Sequence, residues 1–573
     1  MLIATGTALV LLTWLLVVAC LISLGLLPAL AISRNDHARE RSSVIRRSLW
    51  WGIALVSVTV TLINLAVPLG SRAAASIMLG LVLVLGIPGW ILLTRTCRKS
   101  TPTAGGLAYA LLWFALILSI CFVAVAALGP VTNYDSGLYH LGAIRYAADF
   151  STIPGLANLY FPLGYASVEF PLAAFLGNGP WQHEGFRLLN GLIMTMAAAD
   201  LLWRSRRRIL GPGFYVAGMG ILCTWIPFVV MSDFWITSPA QDASVFVLTM
   251  VATGYMAQAV AGGSHGLAEG ATAAVIGVVL VMIRPTMIVW SALVVVVLFV
   301  LLVRRRDLSG SKTPALVSLV PIAVVALFVI SAALAVGARD RILSGWLQYP
   351  LTLYPFDVSW RADNPYWDRS ATLGYHRDPD NLWGSVEGWG WLAAWLRDRV
   401  VLWETYALLG LFLVAVVAVW LTLRHGRELL RARSLFLAMV PSILGVLFWL
   451  LMTPPSYRFA WGVIFSVGTI PLGWSLWRWA RLNPRRWRTM TFFGIALPIL
   501  VVTCLSVVAR LDVSSITLAR DWTLAGVTIP YAIAPLPGSE VSAFVTESGL
   551  ALKQPIDSEQ CWTSYPLCTP RPT

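Results

Sequence analysis

Ala108-Tyr-Ala-Leu-Leu-Trp-Phe-Ala-Leu-Ile-Leu-Ser-Ile-Cys-Phe-Val-Ala-Val-Ala-Ala-Leu128 carries no charged residue. As a helix rising ~1.5 Å per residue, such a run covers the ~30 Å hydrocarbon core of a bilayer. Similar runs recur along the chain, in which 58% of residues are hydrophobic and only 12% charged. A soluble domain breaks such runs far sooner. In lipid every backbone N–H and C=O needs an internal partner, and runs without period-2 alternation leave the helix as the spanning structure. The sequence therefore predicts an all-α polytopic membrane protein, and excludes a barrel.

Working outward from this run gives about fourteen segments, at 2–30, 49–69, 75–93, 108–128, 188–203, 214–230, 245–260, 271–283, 288–303, 315–336, 400–423, 435–451, 461–479 and 492–508. The short eighth and ninth flank Arg284-Pro285 and read as half-length or re-entrant helices, because proline removes a donor and a mid-membrane charge is costly. The expected total is twelve to fourteen. Loops 34–47, 95–99, 204–208, 304–312, 424–433 and 478–488 hold 25 of the 41 basic residues and fall on one side of the alternating arrangement. That side is expected to be cytoplasmic. The net charge of +14 is spread as anchors beside the spans rather than gathered in a basic domain, which argues against nucleic acid as a partner. The first run has no Lys or Arg before it and exceeds a signal peptide's apolar core, so it reads as a retained span with an outer N-terminus.

The resulting layout is a four-helix membrane region (1–128), a first outer loop (129–187), a membrane core (188–336), a second outer loop (337–399), C-terminal helices (400–509) and an outer tail (510–573). Cys20, Cys121, Cys223 and Cys504 sit in apolar runs and Cys97 in a basic loop, as small buried or reduced thiols. Cys561 and Cys568 lie in the polar, Pro-rich tail, where a disulfide is expected.

The first outer loop begins Val131-Thr-Asn-Tyr-Asp-Ser-Gly-Leu-Tyr-His140. Leu138, Leu141, Ile144, Tyr146 and Ala147 then form a helical stripe, with Arg145 and Asp149 on another face, which reads as an amphipathic helix on the membrane surface. Asp135 stands where a helix N-cap would. Against simple capping, it is flanked by Tyr134, Tyr139 and His140 at the water interface, and Asp233 and Asp242 emerge on the same side. These residues resemble a bacterial multi-span membrane family of unassigned biochemical function. The resemblance rests on Tyr134-Asp-Ser-Gly-Leu-Tyr-His140, Ile144-Arg145, Pro154-Gly-Leu-Ala-Asn158, Ser238-Pro239 with Asp242, Gln348-Tyr-Pro-Leu351, Tyr354-Pro355, Pro455 to Arg458-Phe459, Gln560-Cys-Trp562 and Cys568-Thr-Pro570.

More distantly, the layout is similar to the GT-C superfamily of glycosyltransferases, polytopic enzymes that use lipid-phosphate-linked sugars. They place an acidic residue in the first long outer loop beside an amphipathic helix, a position that Asp135 matches. This chain departs from that pattern in setting the loop after its fourth predicted span and in lacking an Asp-Asp or Asp-Glu pair.

The resemblance implies a membrane glycosyltransferase, placed in a bacterial inner (plasma) membrane with both termini outside, that takes a polyprenyl-phosphate sugar and a glycan or glycolipid acceptor to build an envelope glycan. Asp135 is then the base for the acceptor hydroxyl, with His140 orienting it or binding phosphate. Arg458, in Thr453-Pro-Pro-Ser-Tyr-Arg458-Phe, and Arg284 are candidates for the departing phosphate, since Arg makes planar two-point contacts to it. Tyr134, Tyr139, Arg145 and Asp242 complete the expected substrate contacts, and Asp242 is a candidate to hold an acceptor hydroxyl, a metal or one of these arginines. In the second loop, Trp346, Tyr349, Tyr354, Trp360, Tyr366, Trp367 and Trp383 alternate with Asp357, Asp363, Asp368, Asp378 and Asp380. This pattern suits sugar binding or an interfacial aromatic belt, and the acids suit a divalent cation without the spacing of a calcium loop. A flippase or transporter of lipid-linked sugars and a non-catalytic assembly protein stay open as alternatives. A transporter should carry charges deep in its helices. There is no Gly-rich phosphate loop, H-E-x-x-H or G-x-S-x-G. Labelling of single cysteines with a membrane-impermeant thiol reagent in cells should find the Asp135 loop and the tail outside. A cytoplasmic position for either overturns this topology.

Overall fold

The computed structural model describes residues 1–34, 40–99, 105–207, 210–262, 266–309, 315–351, 353–425, 432–547 and 549–570. Of the loop cations on which the expected orientation rests, Arg39, Arg208, Lys312, Arg427 and Arg431 lie outside the described residues.

The chain opens with four long helices, α1 (Leu2–Ile32), α2 (Arg41–Asn64), α3 (Arg72–Thr96) and α4 (Leu107–Ala126). α1 packs along α2 and α3. Its closest approach to α2 needs glycine: a Cβ on Gly25 would lie 1.9 Å from Ser48 O, and one on Gly52 1.9 Å from Leu21 O. Small residues of this kind let helix backbones meet where dispersion must drive association. The long loop at 129–187 then contributes α5 (Leu141–Asp149) and α6 (Glu169–Leu176).

α7 (Phe186–Ser205), α8 (Pro212–Val230), the short α9 (Ser232–Trp235), α10 (Gln241–Val260), α11 (Gly266–Ile283), α12 (Ile288–Ser309) and α13 (Ala315–Ser344) follow. α10 is the innermost of them, with almost every residue buried. The second long loop holds a small β1–β2 pair (Trp346–Leu347, Leu353–Pro355), α14 (Tyr366–Arg377) and α15 (Trp391–Val400). α16 (Trp403–His425), α17 (Ala432–Met452), α18 (Trp461–Leu482) and α19 (Pro484–Ala509) complete the bundle. The tail folds as two antiparallel hairpins, β3–β4 (Leu518–Leu524, Val527–Ile533) and β5–β6 (Val541–Val545, Ala551–Pro555).

Thirteen of the described helices are long and apolar enough to cross a membrane. α18 is a further helix of 22 residues, packed among α8, α10, α16 and α17. The protein is an all-α multi-pass membrane protein.

Two expectations need correction. The segments beside Arg284 are full-length helices: α11 has 18 residues and α12 has 22. The sequence pattern shortened α11 because Glu269 interrupts its apolar run. In the fold Glu269 is buried against Arg46 at 2.5 Å, so a charge that looks like a boundary lies inside the helix. Arg284 thus sits in the turn between two full helices, at the same end of the bundle as Asp135. Nor does α5 present its apolar face outward. Leu141, Ala143, Ile144, Tyr146, Ala147 and Ala148 are all buried. The helix packs on α6, and its last carbonyls are taken up by protein: Leu69 and Gly70 donate their N–H groups to Ala147 O and Ala148 O, and Asn64 Nδ2 donates to Ala147 O at 3.0 Å. The stripe is amphipathic, but protein covers it.

Candidate functional site

Four charged residues meet at the end of the bundle opposite the basic loops. Each comes from a different junction: Asp135 after α4, Asp242 in the first turn of α10, Arg284 after α11, and Arg458 between α17 and α18. Asp135 precedes a one-turn π-helix, Ser136–His140, a distortion frequent at functional sites. Its carboxylate makes no capping hydrogen bond. It faces Arg458 instead, with Oδ2 3.4 Å from Nη1. The two pairs differ in kind. Asp135 and Arg458 are loosely joined and about a third open to solvent, with side-chain exposures of 27% and 31%. Asp242 and Arg284 are tightly joined at 2.6 Å and nearly closed off, at 8% and 11%. Phe459 lies beneath both arginines, each guanidinium 5.1 Å from its ring centre.

The pairs form one electrostatic unit. Burial alone pulls the Arg458 pKa down, but the Asp242 and Asp135 carboxylates outweigh it and raise it. Tyr139 is pushed well up, first by burial and then by Asp135. His140, buried beside Tyr139 and Phe170, falls from 6.5 to about 4, because burial disfavours its charge more than the two aspartates favour it. His140 is thus neutral at pH 7, which removes it as a cation for phosphate.

Behind the pairs lies a residue the sequence reading passed over. Glu169, fully buried at the start of α6, accepts from Ser244 Oγ at 2.7 Å, and burial raises it to about 8. It is therefore a neutral acid at pH 7. A lone carboxyl between Tyr165 and Leu176, in a stretch otherwise free of charge, was the signal available. The other missed residue, His376 of α14, packs on Phe459 with ring centres 5.0 Å apart and is lowered to about 4 by burial and then by Arg458. Nothing in its local spacing marks it. Buried and without a hydrogen-bond partner are Arg284 Nη1, His140 Nδ1 and Glu169 Oε2, so three polar atoms around the pairs have unused bonding capacity.

Asp135, Tyr139, His140, Asp242, Arg284 and Arg458 are therefore brought together, and two expected residues are not. Tyr134 is exposed and donates to Glu559 of the tail at 3.1 Å. Arg145 acts electrostatically on Tyr565, also in the tail. Asp233 binds Thr132 at 3.1 Å, at the root of the loop. In the second loop Tyr349 is buried, while Trp346 and Trp360 donate to backbone carbonyls and Asn158 reaches Trp360 O at 3.0 Å. These rings brace the first loop. Tyr354, Trp367 and Trp383 are exposed.

Cys561 and Cys568 are joined in a disulfide, and the loop they close is clamped onto the Asp135 segment. Gln560 Nε2 donates to Tyr134 O at 2.8 Å, and the Cys561 and Trp562 N–H groups both donate to Gly137 O. The Trp562 ring lies so close that a Cβ on Gly137 would be 2.4 Å from it. Among the described residues no three His, Cys, Asp or Glu side chains gather as a metal site, and each carboxylate of the cluster already faces an arginine.

A family model described as a domain of unknown function (DUF8201) matches residues 8–465. The match takes in all four charged residues and stops before the tail. No curated protein matches the chain.

Two predictions concern this cluster. Arg284→Ala leaves Asp242 buried and uncompensated, and should cost ~3–5 kcal/mol in detergent unfolding, whereas Asp242→Asn with Arg284→Gln together should recover most of it; a single variant as stable as wild type removes the pair as an anchor. His140 and His376 both titrate lower in the folded protein than in the unfolded chain. The unfolded state thus takes up protons first, and stability should fall as pH drops from 6.5 towards 4, with no further loss from these groups below that. His140→Gln should flatten that slope in melts across the window, and an unchanged slope contradicts the assignment.

Proposed function

Taking as premise that the chain belongs to the DUF8201 family, we propose that it is a membrane glycosyltransferase that moves sugar from a polyprenyl-phosphate carrier to a hydroxyl acceptor on an envelope glycan or glycolipid. The observation that carries this is the contrast between the two ion pairs: a loose, solvent-reached Asp135–Arg458 pair beside a tight, buried Asp242–Arg284 pair. The proposed setting is the extracytoplasmic face of a bacterial inner membrane, with the basic loops in the cytoplasm. GT-C likeness belongs to the same proposal.

The arrangement suits the chemistry. An acceptor hydroxyl attacks the anomeric carbon, its proton passes to Asp135, and the bond from that carbon to the phosphate oxygen breaks. Negative charge gathers on the leaving lipid phosphate, where Arg458 and the unpartnered Nη1 of Arg284 supply charge-assisted donors. When phosphate draws Arg458 away, the Asp135 carboxylate loses its partner and is free to face the acceptor hydroxyl. Asp242 holds Arg284 in place, and Phe459 supports both guanidinium groups. Tyr139 and neutral His140 shape the wall behind Asp135.

A flippase of lipid-linked sugars is the second reading, favoured by a separate buried charge cluster at the other end of the same bundle, where Arg46, Asp200, Arg204 and Glu269 meet. The two readings part in proteoliposomes. A transferase consumes labelled polyprenyl-phosphate sugar only when acceptor is present; a flippase moves it between leaflets without any. With acceptor, Asp135→Asn should still bind donor and lose ~10²- to 10⁴-fold in transfer. Wild-type transfer rates in both Asp135→Asn and Arg458→Gln would falsify the catalytic reading and leave a scaffold.

A further inference from the structure

The basic end of the bundle holds a second polar site that the transferase reading does not use. Asp200, near the end of α7, is its centre. The carboxylate accepts from Arg204 Nε at 2.5 Å, from Tyr255 Oη at 2.7 Å and from Trp50 Nε1 at 3.1 Å. Arg46 and Arg204 lie on the Tyr255 ring, 4.7 and 4.3 Å from its centre, and Arg46 also binds Glu269.

This arrangement holds Arg204 by its Nε and Arg46 between Asp200 and Glu269, and leaves one nitrogen of each without a hydrogen bond. Arg204 Nη2 and Arg46 Nη1 are buried without a hydrogen-bond partner, the latter 3.5 Å from Asp200. The two residues are 7% and 6% exposed. Both line a small chamber of about 40 Å³ together with Arg207, Gln258 and Glu269. Through Arg207, Gly211 and Gln258 the chamber adjoins a wider recess of about 450 Å³. Its wall comes from α10, α17 and α18: Gln258, Ser434, Trp474, Trp477 and Arg481, with no acidic residue among the described lining residues. Arg481 is held 5.3 Å over the Trp477 ring, and the two indoles meet at 5.1 Å.

We infer that this recess binds a phosphate group, held at its mouth by Arg481 and by Arg207, which also meets Glu40 at 3.1 Å, and drawn inward by Arg204 Nη2 and Arg46 Nη1, which make no hydrogen bond. A guanidinium presents paired N–H donors that match phosphate oxygens, and among the described residues the recess lining carries two arginines and no carboxylate, while the chamber's arginines are met by Asp200, Glu269 and Glu40. A carboxylate ligand would meet the same donors with fewer acceptor oxygens. Tryptophans flanking arginines at a bundle end also suit a headgroup lying at the membrane interface, where basic pockets between helices take anionic lipids. The phosphate belongs either to an anionic phospholipid or to a soluble phosphate compound. The inference is independent of the site at Asp135, which lies at the other end of α10 and α11.

The test uses the full chain. Wild-type protein and an Arg207→Gln/Arg481→Gln variant are placed in phosphatidylcholine nanodiscs containing a minor share of phosphatidylglycerol, and the lipid retained after extraction is counted by native mass spectrometry. In parallel, both proteins in detergent are titrated calorimetrically with inorganic phosphate. Both substituted arginines lie at the recess mouth and make no hydrogen bond to Asp200; Arg207 also meets Glu40 and Ser43, so melting curves check that the fold persists. Enrichment of phosphatidylglycerol in wild type, weakened about 30-fold in the variant, supports a lipid phosphate. Phosphate heat that the variant loses, without lipid enrichment, supports a soluble one. No enrichment and no heat in wild type, or equal binding by the variant, overturns the site.

Discussion

An ion pair between residues on neighbouring helices, Asp242 at the start of α10 and Arg284 after α11, holds the candidate site together. Burying either charge alone is costly, so the two stay matched, and that match fixes where two full-length helices end. Arg284 is thereby set beside Phe459, and Phe459 in turn lies beneath Arg458. What remains adjustable is the Asp135–Arg458 contact, long and open to water. The site thus joins a rigid anchor to a pair that can be separated, and that division of labour is what the transferase proposal uses.

The tail and the loop before α10 serve to place Asp135. The π-turn after it is pinned from outside by the tail, whose disulfide loop seats Trp562 on Gly137 and directs two N–H groups at Gly137 O. From inside, the turn rests on Ser238, whose hydroxyl lies 2.7 Å from that of Ser136. The two stretches Tyr134-Asp-Ser-Gly-Leu-Tyr-His140 and Gln560-Cys-Trp562, distant in sequence, are the two sides of one contact. A residue with any side chain at position 137 would displace the ring.

How much of this was legible follows from what one dimension records. Apolar runs declare themselves by length, so the helical bundle and its alternation could be read directly. Charged residues where runs end are conspicuous for the same reason, which is why Asp135, Asp242, Arg284 and Arg458 could be named before their meeting was visible. Pairing across the bundle leaves no local trace. Glu269 broke the pattern of α11 only because its partner Arg46 lies 223 positions away. The stripe of α5 resembled a membrane-surface helix because sequence cannot say whether lipid or protein covers an apolar face. Tyr134 and Arg145 were placed by proximity in sequence to Asp135, but a helix turn carries neighbours to opposite sides, and both face the tail. His376 reaches the site from a remote loop and had no signal at all.

The central claim is that the charged cluster at Asp135 receives a lipid phosphate, and a structure of the purified protein incubated with a polyprenyl-phosphate sugar tests it most directly. The account predicts phosphate oxygens in contact with Arg458 and with the free edge of Arg284, and the Asp135 carboxylate turned from Arg458 towards the sugar. Density for the carrier elsewhere, with the two ion pairs undisturbed and a path joining the two ends of the bundle, would contradict it and leave transport as the function to pursue.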